Sequence, residues 1–252
     1  MKKVGIIGNT TLTFKTIKFL TGQECEISYV FGLPEKSLKN KVNSYDLKKY
    51  CLQNNIEYYN NNDWSAITHK DVDIVYEMGD SRVVPPSFLQ NNLVIGNHGA
   101  TLPNVQGAAS LVWGRMLNNG KWGVSLMRLS EELDAGSILC TKDVYYNPDI
   151  DNMEKFVEMC DDATIECVKE HFFKKNIEKE NKRWEVRVAK GTDSKKVSTV
   201  LNNCLDNDIN IYLPPRTPDD GFIKCSWDDD FIESFKKAND SPYPPSFKKS
   251  EK

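Results

Sequence analysis

Seven cysteines are scattered through 252 residues without a single CxxC pair, so neither a disulfide framework nor a zinc site is suggested. They are expected to be reduced and mostly in the core. Long apolar runs are also missing. Nothing approaches the roughly 18 consecutive residues of a membrane span, and Met1 to Gly8 is too short for the apolar region of a signal peptide. No membrane partner and a cytoplasmic location follow as expectations. Charge bias is slight: 33 Lys and Arg stand against 36 Asp and Glu, a net charge of −3. No broad positive face is offered to nucleic acid, the Lys-rich C-terminus being at most a local exception. No internal repeat is visible. The first turn, Gly8-Asn9-Thr10, lacks the full glycine fingerprint of a dinucleotide site. It reads as a tight turn, with a phosphate contact at the next helix start as the alternative. Only three histidines occur, His69, His98 and His171, which confines imidazole chemistry to few places.

What is present is an alternation of strand and helix. An apolar strand over Lys3 to Gly8 precedes a helix over Thr11 to Thr21. Strands follow at Glu26 to Phe31, Ile56 to Tyr59 and Asp73 to Met78, with a helix over Ser44 to Gln53 between the first two. Pro85 or Pro86 starts a helix through Leu89. This order predicts an α/β fold, a Rossmann-like, mostly parallel sheet with helices on both faces. A long amphipathic helix is expected from Asp151 to Asn176, where His171 reads as a surface or packing residue. His69 lies in a polar loop. The charged stretch from Asn176 to Arg183 reads as a solvated boundary, and helices are expected over Ser194 to Leu205 and Asp228 to Ala238. The predicted organisation is a main domain over 1–185 and a small C-terminal subdomain over 186–252, with frayed final residues.

The rest is organised around Leu93 to Leu139. Leu93-Val94-Ile95 reads as a buried strand that ends in Gly96-Asn97-His98-Gly99, so His98 sits where a strand's carboxyl end meets solvent. A helix is expected over Gly107 to Leu117, with Trp113 in the core, and a strand over Trp122 to Leu129. Asp134 lies on the loop beyond it. Ligands of open α/β sheets bind along that rim. A carboxylate can orient an imidazole and shift its pKa for acid–base work or oxyanion stabilisation. From the residues alone, His98 and Asp134 are equally consistent with two side chains that never meet.

The segments His98-Gly99-Ala100-Thr101-Leu102-Pro103, Gly107, Trp113, Gly123-Val124 and Leu133-Asp134-Ala135-Gly136-Ser137-Ile138-Leu139 resemble the folate-dependent formyltransferase family. That family pairs an Asn-x-His and a small-residue run ending in Leu-Pro with an Asp-x-Gly-x-Ile-Leu. The separation of His98 and Asp134, 134 − 98 = 36 positions, is the one it keeps. The match covers about residues 1–140. One departure stands out: the slot two residues before the histidine is Gly96, and the asparagine is Asn97, adjacent to His98. Neighbours on a strand point to opposite faces, so Asn97 faces the site only if the backbone turns there. The usual Arg-Gly after Leu-Pro is altered to Val105-Gln106-Gly107.

The resemblance implies Asn97, His98 and Asp134 as catalytic residues. It implies N10-formyltetrahydrofolate as co-substrate, lying against Met78, Gly79, Asp80, Arg82 and Val83 and against Leu133, and no metal. Arg216-Thr217-Pro218-Asp219-Asp220-Gly221-Phe222-Ile223, Trp227 and Asp240 to Phe247 are similar to the segment after the catalytic domain in methionyl-tRNA and aminosugar formyltransferases. The chain stops soon afterwards and is acidic, which points to a nucleotide-linked aminosugar as acceptor rather than nucleic acid. Lipopolysaccharide or other cell-surface polysaccharide biosynthesis is the implied setting, and a homodimer is compatible with it. Three alternatives remain: a formyltetrahydrofolate hydrolase, a methionyl-tRNA formyltransferase-like enzyme, and a catalytically inactive binding module in which Gly96 marks a lost asparagine.

Overall fold

A computed structural model describes residues 1–38, 43–174 and 178–248. The expected helix end at Asn176 and the last of the frayed residues lie outside them. In chain order the strands are β1 (Lys2–Ile7), β2 (Cys25–Gly32), β3 (Tyr58–Asn60), β4 (Ile74–Glu77), β5 (Val94–His98), β6 (Val105–Gly107), β7 (Lys121–Arg128), β8 (Ile138–Tyr145), β9 (Val186–Arg187) and β10 (Ile211–Leu213). The α-helices are α1 (Thr11–Thr21), α2 (Glu35–Leu38), α3 (Lys48–Gln53), α4 (Ser65–Thr68), α5 (Pro86–Asn91), α6 (Ser110–Leu117), α7 (Met153–Phe173), α8 (Ser194–Asp206) and α9 (Asp229–Ala238). Among the described residues no helix is long and apolar enough to cross a membrane.

The chain divides into two compact units, each assembled from three segments. Unit 1 comprises 1–97, 126–140 and 164–178; unit 2 comprises 98–125, 141–163 and 179–252. The central sheet has the order β3-β2-β1-β4-β5-β7-β8, and from β3 to β5 every pairing is parallel.

In unit 1 the period-2 alternation of strand side chains sorts the apolar residues into two cores. Val4, Ile6, Val30, Tyr76 and Ile95 join Leu12, Ile17 and Leu20 of α1, Cys51 of α3 and Ile165 and Val168 of α7. Their strand neighbours Ile7, Tyr29, Phe31, Val75 and Val94 pack instead with Ile67 of α4 and Phe88 of α5. Both faces of the sheet are therefore covered, which is why its strands read as continuous apolar runs. The turn after β1 is closed internally. Thr10 caps α1 by accepting from the Thr13 amide, and the Asn9 carboxamide accepts from Leu33 N–H.

Unit 2 has its own core, in which Trp113 and Met116 of α6 meet Phe156 and Cys160 of α7, Leu201 of α8, Ile211 and Leu213 of β10 and Phe235 of α9. A three-stranded sheet in the order β6-β10-β9 pairs in parallel within this unit. The expectation of a helix from Gly107 needs correction: Val105–Gly107 is a strand, and α6 begins only at Ser110. The physical reason is the backbone. Gly107 and Ala109 both take positive φ, at +99° and +56°, which interrupts any helix before Ser110. Cys51, Cys160, Cys167 and Cys204 are buried, and all seven cysteines are free thiols.

Candidate active site

A cavity of about 270 Å³ opens in unit 1, at the carboxyl ends of β4 and β5 and along the loop after β7. Its wall includes Glu77, Asp80, Arg82 and Val83 on one side and Asn97, Glu131, Glu132, Leu133 and Asp134 on the other. Three constructions shape it.

The first is an ion pair. Arg82 lies 2.7 Å from Asp80, with side-chain exposures of 13% and 1%. The guanidinium also donates to the Asn61 and Phe31 carbonyls and stacks 4.3 Å over the Phe31 ring. A charge pair buried this deeply holds only because its remaining donors are satisfied. Asp80 and Arg82 thus fix the wall, and the exposed Val83 beside them presents an apolar edge.

The second is the end of β5. Glu77 faces Gly96 across the β4–β5 pairing. A Cβ on Gly96 would come within 2.5 Å of Leu129 Cδ2 and 3.2 Å of a Glu77 carboxylate oxygen. Glu77 and Leu129 therefore occupy the space that a side chain at position 96 would need. Asn97 lines the cavity instead, and its Oδ1 accepts from Gly79 N–H at 2.9 Å. Because a backbone amide can only donate, this bond settles which end of the carboxamide is oxygen. The two Nδ2 donors are left on the other end of a side chain whose orientation is held.

The third is the loop after β7. Asp134 takes a left-handed backbone, φ +54°, a region open to Asp at modest cost. Gly136 passes so close to the Arg128 carbonyl that no Cβ fits between them, and Arg128 N–H donates to the Ser137 carbonyl at 2.9 Å. That closure projects Leu133, which is 58% exposed, and Asp134 along the cavity rim.

His98 follows Asn97 directly but is counted in unit 2, where it is 7% exposed. Its Nε2 lies 2.9 Å from the Val105 carbonyl. That carbonyl can only accept, so Nε2 carries the hydrogen, and in the neutral ring Nδ1 is the nitrogen able to take a proton. The loop beyond is fixed by Trp122 Nε1–H donating to the Gly99 carbonyl at 2.7 Å and by Ser125, which accepts from Leu102 N–H and donates to the Ala100 carbonyl.

Asn97, Asp134, Asp80, Arg82, Val83 and Leu133 thus line one cavity. Met78 is fully buried in the core, and Gly79 serves the site through Asn97. Glu77, Glu131 and Glu132 were not singled out in the sequence. The available signal was Glu77 itself, a carboxylate closing an otherwise apolar strand.

No family model matches the chain. It is 28% identical over 187 residues to a methionyl-tRNA formyltransferase of Mycoplasma genitalium, covering 69% of this chain and 60% of the relative's length. Its fold matches a sugar N-formyltransferase from a Shewanella species with a TM-score of 0.67, at 13% identity, over 98% of this chain and 92% of that one. HypX from Aquifex aeolicus, solved in complex with tetrahydrofolic acid, matches with a TM-score of 0.62 at 15% identity over 97% of this chain and 35% of that one.

Proposed function

We propose that this chain, which by sequence similarity and fold belongs with the folate-dependent formyltransferases, is a sugar N-formyltransferase. It moves the formyl group of N10-formyltetrahydrofolate to the amine of a nucleotide-linked aminosugar. The observation that carries the reading is the Asn97 carboxamide, its oxygen held by Gly79 N–H, on the wall of the cavity that Asp134 also lines. The apolar edges of Val83 and Leu133 suit a flat pteridine, whose ring N–H groups find carboxylate acceptors on the same wall.

The uncharged sugar amine attacks the formyl carbon, forming a C–N bond and leaving a tetrahedral oxyanion. The oxyanion collapses, the bond to N10 breaks, and tetrahydrofolate departs with a proton on N10. Asn97 Nδ2–H stabilises the oxyanion. His98, through Nδ1, accepts the proton that the attacking amine must lose, and Asp134 orients the reacting groups.

Electrostatics support a small acceptor. Glu77, Asp80, Glu131, Glu132 and Asp134 all line the cavity, a wall suited to an amine, and the chain's net charge of −3 offers no broad positive field to a polyanion. A methionyl-tRNA acceptor is the second reading, favoured by the names of the curated relatives.

His98→Asn and Asp134→Ala are each expected to lower the turnover of formyl transfer by about 10²-fold or more in the folded protein, as loss of a transition-state contact does, and His98→Asn also lowers the thermal midpoint because it removes the buried bond to the Val105 carbonyl. Near wild-type turnover in His98→Asn would remove that residue from the mechanism.

A further inference from the structure

Asn119-Gly120 is the one Asn-Gly pair in the chain, and it forms the turn from α6 into β7 within unit 2. Asn118 and Gly120 both take positive φ, at +55° and +77°, and Asn119 between them is exposed. Its Oδ1 accepts from Lys121 N–H at 3.2 Å. That bond reaches two residues along the backbone and folds the carboxamide over the Gly120 peptide. The Gly120 carbonyl is fixed by Tyr146 N–H at 3.0 Å, whereas the N–H of Gly120 donates to no group among the described residues. No Cβ shields that nitrogen. Asn119 also lines an open cleft of about 310 Å³ in unit 2, with Thr101, Lys121, Trp122 and Asp143, so solvent reaches the pair.

We infer that Asn119 is a self-modification site, converting through a succinimide to aspartate and isoaspartate. The Gly120 nitrogen gives its proton to solvent base and attacks Asn119 Cγ, so that an N–C bond forms while the Lys121 N–H meets the charge developing on Oδ1. The Cγ–Nδ2 bond then breaks, and ammonia leaves with a proton from solvent. Water opens the ring on either side. Cleavage at Cγ gives aspartate, and cleavage at the main-chain carbonyl gives isoaspartate, whose backbone runs through Cβ and Cγ. That longer backbone lies just before Trp122, whose Nε1–H holds the Gly99 carbonyl, so the change reaches the loop after His98. Two similar positions are protected. Asn118 engages Arg115 through Oδ1 and precedes a residue with a side chain. In the one Asp-Gly pair, the Asp220 carboxylate accepts from Thr217 N–H and Oγ1–H at 2.6 and 2.9 Å. The inference rests on unit 2 residues alone and does not depend on formyl transfer.

The test incubates the full, folded chain in mildly alkaline buffer, digests it in acid, and resolves the peptides by chromatography and mass spectrometry. Residue 119 is expected to convert first, to mixed aspartate and isoaspartate with matching release of ammonia, and faster as pH rises. Asn119→Gln, whose ring would need one more atom, should remove that release. The converted protein, separated by ion exchange, should melt below the Asn119→Asp variant, which adds the charge without the extra backbone atom. An Asn119 that stays intact or converts no faster than other asparagines, aspartate without isoaspartate, or equal midpoints for the converted protein and Asn119→Asp would each overturn the inference.

Discussion

Gly96 and Asn97, adjacent in β5, differ in what the structure allows each of them. A side chain at 96 would run into Leu129 and Glu77, so the space at the slot two residues before His98 is filled from β4 and from the residue after β7. Asn97 then takes the cavity, anchored by one backbone amide. If its Nδ2 donates to the developing oxyanion, Asn97→Ala lowers turnover by about 10²-fold, the cost of one such donor, and leaves the Michaelis constant for the formyl donor nearly unchanged. Steady-state kinetics checks the split; a silent Asn97→Ala would assign the oxyanion to another donor. Sequence alone carried Asn97 and Asp134 to this place only through the resemblance. It had no means of showing that Gly79 fixes the carboxamide, because that bond joins residues 18 positions apart, one in β5 and one after β4, whose approach is set by the sheet.

At the scale of elements, two buried polar groups make separate predictions. His171 on α7 is half-buried, and its Nδ1 lies 2.9 Å from the Tyr76 hydroxyl on β4. Burial pushes the Tyr76 hydroxyl up, so it stays protonated, and burial together with Lys2 holds the imidazole below its usual pKa. The unfolded chain takes up a proton near pH 6.5 that the folded chain refuses. Stability is therefore complete above about pH 6.5 and declines as pH falls below it. Thermal unfolding between pH 7 and pH 5 should show a falling midpoint, and His171→Phe should flatten that slope.

Arg115 on α6 is fully buried and donates to Asn118 Oδ1 and to the Pro148 and Asp151 carbonyls, with Tyr146 5.1 Å away. Arg115→Ala removes the donor from the Asp151 carbonyl, at about 1–3 kcal/mol, while the Pro148 carbonyl keeps Lys237 Nζ, and it empties the space of a fully buried side chain. Chemical denaturation should register a loss of about 3 kcal/mol, whereas formyl transfer by the folded fraction stays near wild type.

For the molecule as a whole, periodicity gave the strongly patterned parts of unit 1: α1 spans the expected Thr11–Thr21, and the order of strands and helices leads to the parallel sheet. The short strands β6, β9 and β10 escaped it, since two or three residues carry no period. They exist because unit 2 brings distant segments together, with Ile211 paired to Val105 and to Val186. Chain order likewise hid the two units, each of which collects three separated segments.

The central claim concerns the acceptor. The most direct measurement follows tetrahydrofolate release from N10-formyltetrahydrofolate with a panel of thymidine-, uridine- and guanosine-linked aminosugars, beside charged initiator tRNA and a control without acceptor. Release that depends on one nucleotide aminosugar and varies little with salt is the predicted result. Efficient formylation of tRNA with a steep salt dependence, or equal release without any acceptor, would contradict it.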